Sequence, residues 1–110
     1  MKYLLTVIIC LSFIKMYSQS NNNACEKVKF HLSVIKKFVT KTNTDSSMQR
    51  IESIAFLENL SGIEGSGIGT DIGKYSVTIE DYKKWSKWFE ENKQYLFYNK
   101  KTKKVELIRN

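Results

Sequence analysis

Apolar residues return with helical spacing in three stretches of this chain and with strand-like spacing near its C-terminal end. Projected at about 100° per residue, Ala24, Cys25, Val28, Leu32, Ile35, Phe38 and Val39 fall on one stripe, with Lys29, Lys36, Lys37 and Thr40 opposite. Asn23, followed three residues later by Glu26, has the spacing of a capping box, in which each side chain satisfies an amide left without a partner in the first turn. A first helix is predicted over 24–41. Phe30 and Val34 lie off the stripe, so this helix is either covered on two sides or carries a small exposed apolar patch.

The polar stretch 42–47 precedes a second apolar series, Met48, Ile51, Ile54, Ala55, Leu57 and Leu60, and Ser46 with Gln49 repeats the capping spacing. A second helix is predicted over 46–61, stopped by Gly62 in the left-handed position that a residue without Cβ adopts at little cost, with Ile63 packing back on the last turn. All five glycines fall between 62 and 73, so 62–76 reads as a mobile loop or a stack of turns. Thr78 and Asp81 form the next capping box, with Val77 and Tyr82 in the staple positions, and Tyr82, Trp85, Trp88 and Phe89 share one arc against a charged opposite face. A third helix is predicted over 79–92. Two β-prone runs around a polar centre follow, which predicts a hairpin with strands near 94–98 and 103–108. The fold class expected is α+β, a three-helix mini-domain with a C-terminal β-hairpin; an all-α three-helix domain is the alternative.

Residues 1–20 change the reading of the first part of the chain. Lys2, a mostly apolar run over 3–14, Lys15 and a polar end with Ser18 and Ser20 have the layout of a secretory signal peptide. The run is too short for a transmembrane helix, which needs about 20 apolar residues. Cleavage is expected near residue 20, with a cut after Ser18 as the close alternative, and 21–110 as a single small domain without a transmembrane segment. The protein is then exported, to the periplasm or the extracellular space. Neither Cys10 nor Cys25 has the preceding residues that lipid attachment requires. Removing Lys2 and Lys15 from a net charge of +7 leaves +5.

Loss of the leader leaves Cys25 as the remaining thiol, so an intramolecular disulfide is excluded and the thiol is buried, reactive or paired with another chain. Its place on the apolar stripe favours burial, although Lys29 one turn on would favour the thiolate. His31 is the single histidine, so no zinc set can be completed around it, and it is expected to be half-buried with one backbone or water partner. The glycine run fits neither the phosphate-binding loop, since Ile68 and Tyr75 stand where a glycine and a hydroxyl residue are needed, nor the dinucleotide fingerprint, since it follows a helix. No cofactor, metal or nucleic-acid reading is supported. The carboxylates fall mainly on polar helix faces or at caps, and no serine stands in a nucleophile elbow.

Two clusters could bind a partner. Lys100, Lys101, Lys103 and Lys104 crowd the hairpin turn, where they could meet an anionic polymer or simply keep the edge soluble. Trp88 and Tyr98 lie nearer the edges of the aromatic run than Trp85 and Phe89, and are the aromatic candidates for a binding surface.

The segments FLENLSGI (56–63) and WSKWFEENKQYLFY (85–98) together resemble a pattern in small, uncharacterised exported bacterial proteins, and are similar to the terminal unit of some bacterial HEAT-repeat proteins. The resemblance spans 54–98 and implies a shared packing unit with no activity, cofactor or catalytic residue attached. The function expected is a non-enzymatic binding domain for a protein or an anionic surface polymer. A small hydrolase or thiol enzyme, or an inhibitor or immunity-like protein, is the alternative, and oligomeric state is left open.

Overall fold

The computed structural model describes residues 2–41 and 47–108. Helix α1 (Lys2–Val39) is followed by α2 (Ser47–Ser61), a small antiparallel ribbon of β1 (Gly69–Thr70) and β2 (Gly73–Lys74), and α3 (Ile79–Asn92). One 3-10 turn, Lys93–Tyr95, then leads straight into the hairpin of β3 (Leu96–Asn99) and β4 (Lys104–Leu107). Three helices with a C-terminal hairpin make this the α+β mini-domain.

The first helix does not begin at Asn23. It runs unbroken from Lys2, because no glycine or proline interrupts 2–38 and the capping spacing of Asn23 and Glu26 is overridden by a helix already under way. It ends at Val39, two residues earlier than expected, with Lys41 in the left-handed region at φ 54°. The Ser46 cap expected for α2 lies outside the described residues. At the other end of α2, Gly62 takes φ +74° and its N–H donates to the Glu58 carbonyl at 2.9 Å, the predicted helix stop.

Helix α3 has the predicted bounds. The Thr78 hydroxyl accepts from the Asp81 amide while the Asp81 carboxylate accepts from the Thr78 amide, so the predicted capping box is complete. Its aromatic arc faces inward. Trp85 is fully buried, and Phe89 and Trp88 join Ala24, Val28, Leu32 and Ile35 of α1, Ile54 and Leu57 of α2, and Leu96 and Val105 of the hairpin in one core. Burial of side chains this large is the main source of stability here, where Cys25 is a free thiol. Of the two off-stripe residues on α1, Val34 is buried and Phe30 is 51 % exposed, so both readings of that flank hold, one residue each.

The 62–76 segment has more anchors than its composition suggests. Glu58 on α2 accepts from the Gly65 amide at 2.8 Å and from the Lys74 ammonium at 2.7 Å. Lys74 also donates to the Gly65 carbonyl at 2.6 Å, and its pairing with Glu58 raises its pKa above the usual lysine value. Trp85 donates its indole N–H to the Ile63 carbonyl at 3.0 Å. Gly67 passes so close to the Ser76 carbonyl that any Cβ there would collide with it. With Asp81, whose carboxylate accepts from the Ser66 amide at 3.1 Å, three helix side chains reach across and hold this stretch.

The hairpin packs its β3 strand along α1, which also packs on α2 and α3. The register pairs Leu96 with Leu107 and Tyr98 with Val105. On the other side of β3, Ser20 of α1 both accepts from the Tyr98 amide at 3.0 Å and donates to the Tyr98 carbonyl at 3.1 Å. Asn21 donates from its amide nitrogen to the Leu96 carbonyl at 2.8 Å and to the Lys93 carbonyl at 2.9 Å. Helix side chains thus take the place of a neighbouring strand.

Candidate functional site

An open groove of about 920 Å³ runs between α1, α2 and β4. Helical spacing brings Lys27, Phe30 and His31 to one face of α1. Phe56, Asn59 and Leu60 face them from α2, and β4 closes the far side with Lys103 just ahead of it and Lys104, Val105, Glu106 and Leu107. Part of the lysine-rich hairpin turn, Lys103 with Lys104, is therefore one bank of a groove.

The middle of the groove is an aromatic stack. The His31 ring lies on Phe56 with centroids 4.0 Å apart and an interplanar angle of 25°, and Phe30 meets His31 edge-on at 5.2 Å. Nδ1 of His31 is 2.8 Å from the hydroxyl of Ser53, which is fully buried. The expected backbone or water partner is thus a side chain on α2, because the helix crossing sets Ser53 opposite the imidazole. Burial, with the nearby Lys27 charge, holds the His31 pKa below the ordinary histidine value, so the neutral ring prevails at neutral pH.

The rim of the groove is charged. The Lys27 ammonium stands over the Tyr98 ring, 5.0 Å from its centroid. Glu106 is engaged by Asn99 and Thr102 of the hairpin turn, and Glu26 approaches Lys29 on the solvent side. Among the described residues, Lys103 and Lys104 form no ion pair. Asn99 accepts from the Lys101 and Thr102 amides, and Lys103 adopts φ 57°, which together fold the four-residue turn.

The six residues expected from sequence to bind a partner separate in the structure. Lys103 and Lys104 line the groove, while Lys100 and Lys101 are exposed on the turn beyond it. Tyr98 is half-buried against the core, with Lys27 over its ring. Trp88 is 8 % exposed, because its side of α3 packs into the core with Trp85 and Phe89. Phe56, Lys27 and the aromatic use of His31 were not legible as site residues, and the off-stripe position of Phe30 is the one sequence signal that pointed here.

Cys25 lies outside this lining. Its sulfur is 3.5 Å from the Lys93 carbonyl, and burial pushes the thiol pKa up despite the lowering influence of Lys29 and Lys93. The thiol is thus half-buried and not activated, and it is not gathered with His31 into a catalytic pair. Among the described residues no group of His, Cys, Asp or Glu is arranged to hold a metal ion, and no helix is long and apolar enough to cross a membrane. Comparison with protein families, with curated proteins and with solved structures finds no match.

Proposed function

We propose that this protein is an exported, non-enzymatic binding domain whose groove takes an acidic segment of a partner protein. The observation that carries the reading is the union of an exposed aromatic surface, Phe30 with the His31–Phe56 stack, and the ammonium groups of Lys103 and Lys104, which form no ion pair among the described residues, in one groove. Carboxylates of the partner would lie along the lysine bank, and an apolar or aromatic side chain between them would cover Phe30 and Leu60. A peptide supplies both chemistries. A polyanion such as a phosphate polymer supplies only the first and would leave the aromatic surface in water.

The single imidazole makes the test direct, because its ring protons report on the middle of the groove. The full chain would be titrated with a peptide alternating Glu and Phe, with polyglutamate and with polyphosphate, each at low and moderate salt. The expected result is that the mixed peptide binds tightest, shifts the His31 signals and weakens with salt. Phe30→Ser and the double variant Lys103→Gln, Lys104→Gln should each weaken it by about tenfold, or about 1.4 kcal/mol. Equal binding of polyphosphate, insensitive to Phe30→Ser, would replace the peptide reading with that of an anionic-polymer surface. No response to any of the three would remove the groove as a binding site.

A further inference from the structure

The junction between leader and domain, which the sequence locates within a few residues of position 20, lies inside α1 rather than in a linker. Two residues at that junction hold the hairpin. Ser20 makes a reciprocal pair of hydrogen bonds with the Tyr98 backbone, and Asn21 reaches the Leu96 and Lys93 carbonyls. The bonds to Tyr98 and Leu96 are made to the outer side of β3, the strand edge that β4 leaves open, and the bond to Lys93 to the turn just before it. An unpaired edge is a template for association with other chains, and backbone polar groups shielded from water need partners. The clasp therefore answers a need of the folded domain and has no evident use in a leader that is discarded.

We infer that processing cuts the Ser18–Gln19 bond, so that Ser20 and Asn21 remain in the exported chain as the clasp on β3. The competing cut, after Ser20, places small residues at both recognition positions but removes the hydroxyl that serves the Tyr98 amide and carbonyl. A cut after Ser18 keeps a small residue beside the scissile bond and accepts Met16 two places upstream. In a domain with so small a core, two backbone partners at a strand edge are a sizeable share of the total stability. In the reaction, a signal peptidase adds water across the amide. The C–N bond breaks, Ser18 becomes the carboxylate end of the leader, and Gln19 begins the mature chain as an ammonium group. Both residues are helical in the folded chain, whereas a peptidase takes its substrate extended, so the cut precedes closure of α1 on the hairpin.

This inference rests on the export reading and is independent of the groove. The full chain would be produced in an exporting bacterial host, and the exported protein examined by intact mass and N-terminal sequencing. The expected start is Gln19, either free or cyclised with loss of one ammonia. A start at Asn21 or beyond would overturn the assigned bond while keeping export, and an intact Met1 on exported material would overturn the leader itself. In the same full chain, Ser20→Ala should leave the start at Gln19 and speed exchange of the Tyr98 amide at least tenfold. Unchanged exchange at Tyr98 would show that the clasp does not hold the edge, and the reason for preferring this bond would fall with it.

Discussion

Asp81 closes the cap of its own helix and at the same time binds Ser66, fifteen positions earlier, through the Ser66 amide and hydroxyl at 3.0 to 3.2 Å. One carboxylate therefore ties the start of α3 to the glycine-rich segment. It is 3 % exposed, and although burial by itself would raise its pKa, the hydrogen bonds from Thr78 and Ser66 hold it below the ordinary carboxylate value.

A depressed folded-state pKa means that Asp81 stabilises the fold above its unfolded value of 3.8, and that this contribution is lost as pH falls through the lower folded value. Asp81→Asn should cost about 1 to 3 kcal/mol at neutral pH, the range for a lost cap combined with weakened charged hydrogen bonds. Thermal melts of parent and variant across pH would show the gap narrowing as pH is lowered below 3.8. A gap constant with pH would mean that the Asp81 pKa is the same in the folded and unfolded chain, so that the bonds from Thr78 and Ser66 do not hold it down.

Proton exchange should divide the glycine-rich segment into two parts. The Gly65 and Ser66 amides, bonded to Glu58 and Asp81, should exchange slowly, and the exposed tip at Asp71 and Ile72 should exchange fast. Lys74→Gln should speed exchange at Gly65 by loosening the Glu58 carboxylate that both groups share. Uniformly fast exchange over 62–76 would favour a mobile loop over a stack of turns.

Trp85→Ala should leave the chain barely folded. The indole is fully buried and bonded to the Ile63 carbonyl, and its loss costs about 3 to 5 kcal/mol in a domain whose whole stability is of the order of 5 kcal/mol. Tyr98→Ala, half-buried beside Lys27, should be milder. Circular dichroism melts of the two variants give the ranking, and a Trp85→Ala protein melting like its parent would contradict the core described above.

The histidine ring should titrate with a midpoint below 6.5. Because the fold favours the neutral ring, the associated stability is complete above the unfolded value of 6.5 and declines as pH falls toward the folded one. Replacing the imidazole by His31→Phe should flatten the stability profile in that window. A midpoint at or above 6.5 in a nuclear magnetic resonance titration would mean that the ring is more solvated than its place on Phe56 implies.

What the sequence conveyed was local. Thr78 and Asp81 stand three residues apart and fix the start of α3 by themselves, and Gly62 ends α2 for a reason internal to one residue. Asn23 carried an equally good local signal and misled, since a cap can act only where the preceding backbone leaves the helix. The ordering of the glycine-rich stretch was hidden because its partners, Glu58 and Trp85, belong to flanking helices whose approach no spacing rule describes. The groove was hidden for the same reason: Phe30, Phe56 and Lys103 meet only after three elements have packed. Phe30 betrayed itself only by failing to fit the stripe.

The passage from α3 to β3 contains no slack. The Lys93 amide donates to the Phe89 carbonyl, the Leu96 amide donates to the Lys93 carbonyl, and the strand begins at once. Such a joint behaves as a crank: each residue of a 3-10 turn advances the chain by about 120° around its axis. One residue inserted at Lys93–Tyr95 would swing the hairpin about a third of a turn, carrying Lys103 and Lys104 away from Phe30. Shortening the joint by one would swing it the opposite way. The phase of this single turn thus sets which amino acids can ever share the groove, and length changes here should be far more damaging to binding than equal changes at the exposed tip of the turn at Lys100.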